Sequence, residues 1–105
     1  MTSIFTKIID WEIPSEKIYE DEYIIAIYDI HPQAKTHILI IPKKEIPTIN
    51  DLQESDRELI WNMFLVAKNI ALDLGIQEAY KLRFNVWEKA GQEIFHIHLH
   101  LTSEI

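Results

Sequence analysis

Apolar and polar positions change period several times along these 105 residues, and each change marks an element. Ile4, Phe5, Ile8 and Ile9 recur at helical spacing, and Ile13-Pro14 ends that short segment. Lys17 to Glu20 reads as a strand, Asp21-Glu22 as a turn, and Tyr23 to Asp29, rich in isoleucine and tyrosine, as a second strand. His31-Pro32-Gln33-Ala34-Lys35 breaks the pattern as a loop, and Thr36 to Ile41 forms a third strand closed by Pro42. Ser55 followed by Glu58 has the form of a capping box. Leu59, Ile60, Met63, Phe64, Ala67, Ile70, Ala71 and Leu74 then repeat at helical spacing until Gly75 closes the helix. Tyr80 to Val86 is a fourth strand, Trp87 to Glu93 a loop around Gly91, and Ile94 to Leu101 a fifth strand. This order predicts an α+β domain over residues 1–105: a five-stranded antiparallel sheet with one long helix packed on it and one short helix.

Composition narrows the classes. The chain has 48% hydrophobic residues, which suits a globular protein with a real core and excludes wholesale disorder. Its formal charge of −7 repels a polyanion, so no nucleic-acid polymer is expected as partner, while a pocket can still attract a small anion. There is no cysteine, so disulfides, thiolate zinc sites and a cysteine nucleophile are excluded. A reducing cytoplasm is compatible with that, and is the expected location. The apolar run at the N-terminus is short and broken by Lys7 and Asp10, unlike a signal peptide, and no stretch is long enough to span a membrane.

Three of the five histidines stand at His96, His98 and His100, in Phe95-His96-Ile97-His98-Leu99-His100-Leu101. On a strand, alternate side chains share a face, so the imidazoles point one way and Phe95, Ile97, Leu99 and Leu101 point the other. Three readings are open. A half-buried strand can carry histidine on its polar face with no further role. A zinc ion can take two imidazoles at i and i+2, about 6.6 Å apart, with His37 as a third ligand. Neighbouring imidazoles can also divide the work of nucleophile and acid, because repulsion between charged rings spreads their proton affinities apart.

His-Ile-His-Leu-His-Leu matches the histidine triad signature except at its last apolar position, Thr102. Its surroundings follow the same family in order: Ser3 to Ile9 with Glu12-Ile13-Pro14, Tyr19-Glu20-Asp21, Asp29-Ile30-His31-Pro32-Gln33-Ala34, Thr36-His37 through Pro42-Lys43-Lys44, Asn85, and Ala90-Gly91-Gln92. Over essentially its whole length the chain resembles the HINT branch of the histidine triad (HIT) family, the purine nucleoside phosphoramidases.

The resemblance implies a HIT-like fold whose sheet continues across a homodimer, with the long helix and the strand around Tyr80 to Val86 at the interface. The implied ligands are purine nucleotides such as AMP or GMP and their phosphoramidates, with no metal and no cofactor. His98 is implied as the nucleophile that attacks the α-phosphorus, and His100 as the acid for the leaving amine. His96 and His37 are implied as support for that pair. Asp29 resembles the carboxylate that takes the ribose hydroxyls. Ile4, Phe5, Ile8, Ile27 and Ile30 resemble the walls of the base pocket. Asn85, Gly91, Gln92 and Glu93 resemble the positions beside the phosphate. Asp29 has a second reading as a turn residue, Phe5 and Ile8 as plain core, and Asn85 as a loop cap.

The chain also departs from the family. Where many bacterial relatives carry two cysteines and a histidine that bind zinc, it has Ser3, Thr6 and Glu45, so that zinc is expected to be absent. Thr102-Ser103-Glu104 replaces the usual Gly-Gly, and the tail of longer relatives has no counterpart. Glu93 replaces a hydroxyl residue, so it is expected to turn outward or to favour amines that carry a positive charge. These departures keep two alternatives in play: a nucleotide-binding or interaction protein with little turnover, and a dinucleoside polyphosphate hydrolase.

Overall fold

The computed structural model describes residues 3–105; Met1 and Thr2, which open the stretch read as no signal peptide, lie outside the described residues. Two helices and five strands follow the expected order: α1 (Ile4–Ile9), β1 (Lys17–Glu20), β2 (Ile24–Tyr28), β3 (Thr36–Pro42), α2 (Arg57–Asp73), β4 (Lys81–Arg83) and β5 (Leu99–Ser103). The strands form one antiparallel sheet in the order β1-β2-β3-β5-β4. Among the described residues no helix is long and apolar enough to cross a membrane.

A different helix packs on each face of the sheet, which explains why β2 and β3 are apolar at nearly every position. Ile24, Ala26, Ile38, Ile40, Leu99 and Leu101 point to one face and pack on Met63, Val66, Ala67, Ile70 and Ala71 of α2. Ile25, Ile27, Leu39 and Ile41 point to the other, where Phe5 and Ile8 of α1 cover them. Strand alternation therefore sends His37, Leu39 and His100 to the α1 face. That face is only partly covered, because α1 has six residues against seventeen in α2. The uncovered part is the cleft described below.

Several element ends differ from the expectation. Ser55 is not the cap of α2: residues Glu54–Asp56 form a 3-10 turn, the side chain of Asp56 accepts the Gln53 N–H at 2.9 Å, and α2 starts at Arg57. At the other end Gly75 does close the helix, at φ +73, with Gly75 N–H on Leu72 O and Ile76 N–H on Ala71 O. Leu74 keeps the helical spacing yet is exposed, because it follows the last turn that faces the sheet. The fourth strand shortens to Lys81–Arg83.

The fifth strand shifts: it runs from Leu99 to Ser103 rather than from Ile94 to Leu101. Pairing with β3 begins at Leu99, opposite Ile40. Before that point Ile97 N–H turns aside to Ile46 O, and the Pro42 carbonyl goes to the His96 side chain. Phe95 is consequently only half-buried, edge-on to Trp87, and is not part of the core assigned to it by alternation.

Candidate active site

The three triad histidines stay on one side of the chain, although only His100 lies in a regular strand. Their hydrogen-bond partners fix which ring nitrogen carries the proton. His96 Nε2 meets Pro42 O at 2.7 Å, and a carbonyl only accepts, so Nε2 is protonated. Its Nδ1 then accepts from Ser3 Oγ at 2.6 Å. His98 Nδ1 donates to His96 O at 2.8 Å, which leaves the Nε2 lone pair free. The Gln33 N–H donates to His37 Nδ1 at 3.1 Å, so the proton of neutral His37 is on Nε2. That N–H points at His100 Nδ1, 2.9 Å away, with Asp29 Oδ2 behind it at 3.5 Å. His100 accordingly bears its proton on Nε2.

The site thus holds one imidazole with a free nitrogen, His98, beside one with a free N–H, His100, their ring centroids 4.8 Å apart. Burial lowers the pKa of His37, His96 and His98 below the usual imidazole value. His100 is pushed down to about 3 by burial first and then by the neighbouring charges of His98, Arg83 and His37. A neutral imidazole is the nucleophilic form. A neutral His100 also gains most from an arriving anion, whose charge favours its protonation. Phe5 of α1 sets its ring edge-on to His96 and His98, with centroids 5.7 and 5.0 Å away, and packs α1 against this pair.

These groups open onto a cleft of about 460 Å³. Of the residues expected at the site, His37, His98, His100, Asp29, Ile4, Phe5, Ile8, Ile27, Ile30, Asn85, Gly91 and Glu93 all line it. Phe5, Ile8 and Ile27 form its floor as buried core residues, so the core and wall readings both hold for them. Ile30, 82% exposed, stands at the rim. Asp29 is a turn residue as well, since its Oδ1 accepts the His31 N–H at 2.9 Å. Asn85 caps the following loop through Nδ2 and Ala90 O, 2.7 Å apart. Gly91 has φ +91, a left-handed conformation that favours glycine, while a Cβ there would make only an ordinary contact with Asn85 Nδ2 at 3.4 Å.

Two expected residues do not line the cleft. His96 is fully buried behind it. Gln92 is a correction: its Oε1 accepts the Trp87 N–H, its Nε2 donates to Pro47 O and Ile94 O, and it is 3% exposed. An amide with both ends used inside the protein has no valence left for a phosphate. It serves instead to clamp the loop, including Trp87, held at a strained φ of 73. Leu39 and Arg83 line the cleft and were missed. Both could have been found by strand parity: Leu39 is two residues from His37, and Arg83 two from Asn85.

The same contacts bear on the metal reading of the triad. Both ring nitrogens of His96 are occupied, so His96 and His98 cannot converge on an ion. Asp29, His37 and His100 do offer ligand atoms within 4.8 Å of one another, but the histidine pair there is already joined by a hydrogen bond. Ser3, Thr6 and Glu45 come together around His96 as a hydrogen-bonded cluster: Glu45 Oε1 accepts from Ser3 N–H at 2.6 Å and from Thr6 Oγ1 at 2.8 Å. This cluster ties α1 to the loop after β3 and fixes the ring of His96.

Known proteins are similar to this chain over most of its length. Residues 2–105 match the family described as the scavenger mRNA decapping enzyme C-terminal binding domain. A purine nucleoside phosphoramidase of Escherichia coli K12 is 48% identical over 100 residues, 94% of this chain and 84% of the relative. The crystal structure of a HIT family hydrolase from Legionella pneumophila superposes with a TM-score of 0.96 at 48% identity, covering 99% of this chain and 94% of that one. A histidine triad nucleotide-binding protein from Candida albicans gives 0.86 at 31% identity, covering 95% and 73%. With a family model matched over residues 2–105, 48% identity to the E. coli phosphoramidase over 94% of this chain, and a TM-score of 0.96 to a HIT family hydrolase, this protein belongs to the histidine triad family.

Proposed function

We propose that this chain is one HIT domain over residues 1–105 that hydrolyses the P–N bond of purine nucleoside 5′-phosphoramidates, with AMP or GMP as the nucleotide product. His98 Nε2 attacks the α-phosphorus and the P–N bond breaks, while the leaving nitrogen takes a proton from His100, which the charge of the bound anionic substrate has drawn into its imidazolium form. Water then attacks the nucleotidyl-histidine. Its proton passes to His100, the His98–phosphorus bond breaks, and the nucleoside monophosphate leaves. The observation that carries this reading is the pair of opposed free valences, a lone pair on His98 and an N–H on His100, at the head of an apolar cleft. The name of the similar E. coli protein supports the same reaction class.

Substrate placement follows from the lining. A purine lies between Phe5, Ile8 and Ile27, with Ile4 and Ile30 at the rim, and Asp29 accepts from the ribose hydroxyls. Asn85, Gly91 and Glu93 flank the phosphate side. The working form is a cytoplasmic homodimer joined through α2 and the outer edge of β4, which ends the sheet among the described residues. Mass spectrometry of the protein mixed with an adenosine 5′-phosphoramidate tests the mechanism. A nucleotidyl adduct on wild type that is absent from His98→Ala is the expected result; hydrolysis that proceeds equally in both proteins would remove the covalent route.

A further inference from the structure

The sheet register sets four side chains in a row across the face that carries the cleft. Ile27 of β2 stands opposite Leu39 of β3, Leu39 opposite His100 of β5, and His100 opposite Arg83 of β4. All four line the cleft. With neighbouring strands about 4.8 Å apart, the row spans about 14 Å. It runs from apolar base wall through the proton donor to a guanidinium, so Arg83 lies one strand beyond His100, on the side where the group bonded to phosphorus departs.

Arg83 is free to act on a ligand. Its side chain is exposed and makes two long contacts, Nε to Asn85 Oδ1 at 3.4 Å and Nη2 to Gln33 Oε1 at 3.5 Å. Among the described residues no carboxylate pairs with it, although the chain has 17 acidic residues against 10 basic ones. Its charge already reaches the site, where it helps to lower the proton affinity of His37 and His100. Pairing of β4 with a second copy would use the strand's outer backbone edge and leave the side chain on the cleft face, because side chains stand perpendicular to the sheet.

We propose that Arg83 is a specificity-determining residue that binds a carboxylate on the leaving amine, so that phosphoramidates of amino acids with a free carboxyl group are preferred over their neutral counterparts. The proposal rests on the phosphoramidase reading above. A guanidinium presents a planar fork that matches a carboxylate with two parallel hydrogen bonds. Such a contact forms only with the amine portion and therefore separates substrates that share one nucleotide. Glu93 also lines the cleft, but it sits on the 91–94 loop and outside this row.

The test uses two adenosine phosphoramidates, one of glycine with a free carboxylate and one of glycine methylamide. Wild type, Arg83→Gln and Arg83→Lys are compared by kcat/KM, with AMP affinity measured alongside. A hydrogen-bonded charge pair implies a preference of roughly tenfold or more for the carboxylate in wild type. Arg83→Gln should bring that ratio near one by slowing the carboxylate substrate, Arg83→Lys should keep part of it, and AMP affinity should change little. A ratio unaltered by Arg83→Gln makes Arg83 a solvated edge charge and overturns the proposal. An equal loss on both substrates with weakened AMP binding overturns it too, by placing Arg83 on the α-phosphate. The same two compounds titrated calorimetrically into His98→Ala, with and without Arg83→Gln, give the binding ratio without turnover. If wild type cleaves neither compound the phosphoramidase reading fails, and the binding ratio still decides the role of Arg83.

Discussion

His96 and His100 are the same residue type, four positions apart, at the two ends of one motif, and they do opposite things. His96 is completely buried, with one ring nitrogen on the Pro42 carbonyl and the other on the Ser3 hydroxyl. It has no free valence and touches no ligand space. His100 is partly exposed in the cleft, has one nitrogen on His37 and leaves the other open to the cleft. The first is a bracket: its backbone carbonyl holds the Nδ1–H of His98, and its ring locks the chain segment to β3 and α1. The second, in the proposed mechanism, is the acid. Spacing alone makes the three rings equivalent, whereas the partners of each ring decide whether it serves as support, nucleophile or acid.

The contrast can be broken by substitution. His98→Ala removes the free lone pair and should cost at least two to four decades in kcat, read by steady-state hydrolysis, with AMP binding retained in calorimetry. His96→Ala and His100→Ala should then fail in different assays. The first strands a buried carbonyl and opens a cavity, a loss of about 3–5 kcal/mol visible in denaturant unfolding. The second should leave the unfolding midpoint nearly unchanged and slow turnover. Equal effects of the two on stability would erase the distinction drawn here.

Asp29 sharpens the same comparison from the ligand side, since its Oδ1 holds the turn and its Oδ2 faces His37. Asp29→Ala should weaken AMP binding by roughly 2–4 kcal/mol. A dideoxyribose nucleotide should mimic much of that loss in wild type and lose little more in the variant. Equal wild-type affinity for ribose and dideoxyribose nucleotides would reduce Asp29 to a turn residue.

A further contrast lies in the pH dependence of stability. His37, His96, His98 and His100 are all held below their unfolded value of about 6.5, His100 down to about 3. Below pH 6.5 the unfolded chain binds protons that the folded chain refuses. Stability is therefore complete above that pH and declines as the pH falls toward 3. Carboxylates held low, such as Asp21, add their loss only below about pH 4. Tm should be level above pH 7 and already declining between 6.5 and 5; a Tm that holds down to pH 4 would show that the rings titrate normally in the folded state.

Much of this was legible in the residues themselves. The alternation of β2 and β3, the helical period of α2, the glycine that ends it, and the order of five strands and two helices all follow from local patterning, because side-chain period and backbone conformation are coupled within a few residues. Alternation also put His98 and His100 on one face, whereas His37 and Asp29 were named through the resemblance to the histidine triad family. Less legible were the boundaries at which a neighbouring strand intervenes. Nothing local says that residues 94–98 leave the sheet, since that depends on Pro42 and Ile46, some fifty positions away, offering carbonyls elsewhere.

The sequence by itself determined which residues bear the chemistry and which way a strand would aim them. Only the tertiary structure decided what each of them is free to do. It turned Gln92 inward as a loop clamp, closed His96 off with Ser3 and Pro42, and brought Arg83 level with His100 at the sheet edge. The physical reason is that a hydrogen-bonding group has few valences, and which of them the fold consumes depends on partners far away in the chain.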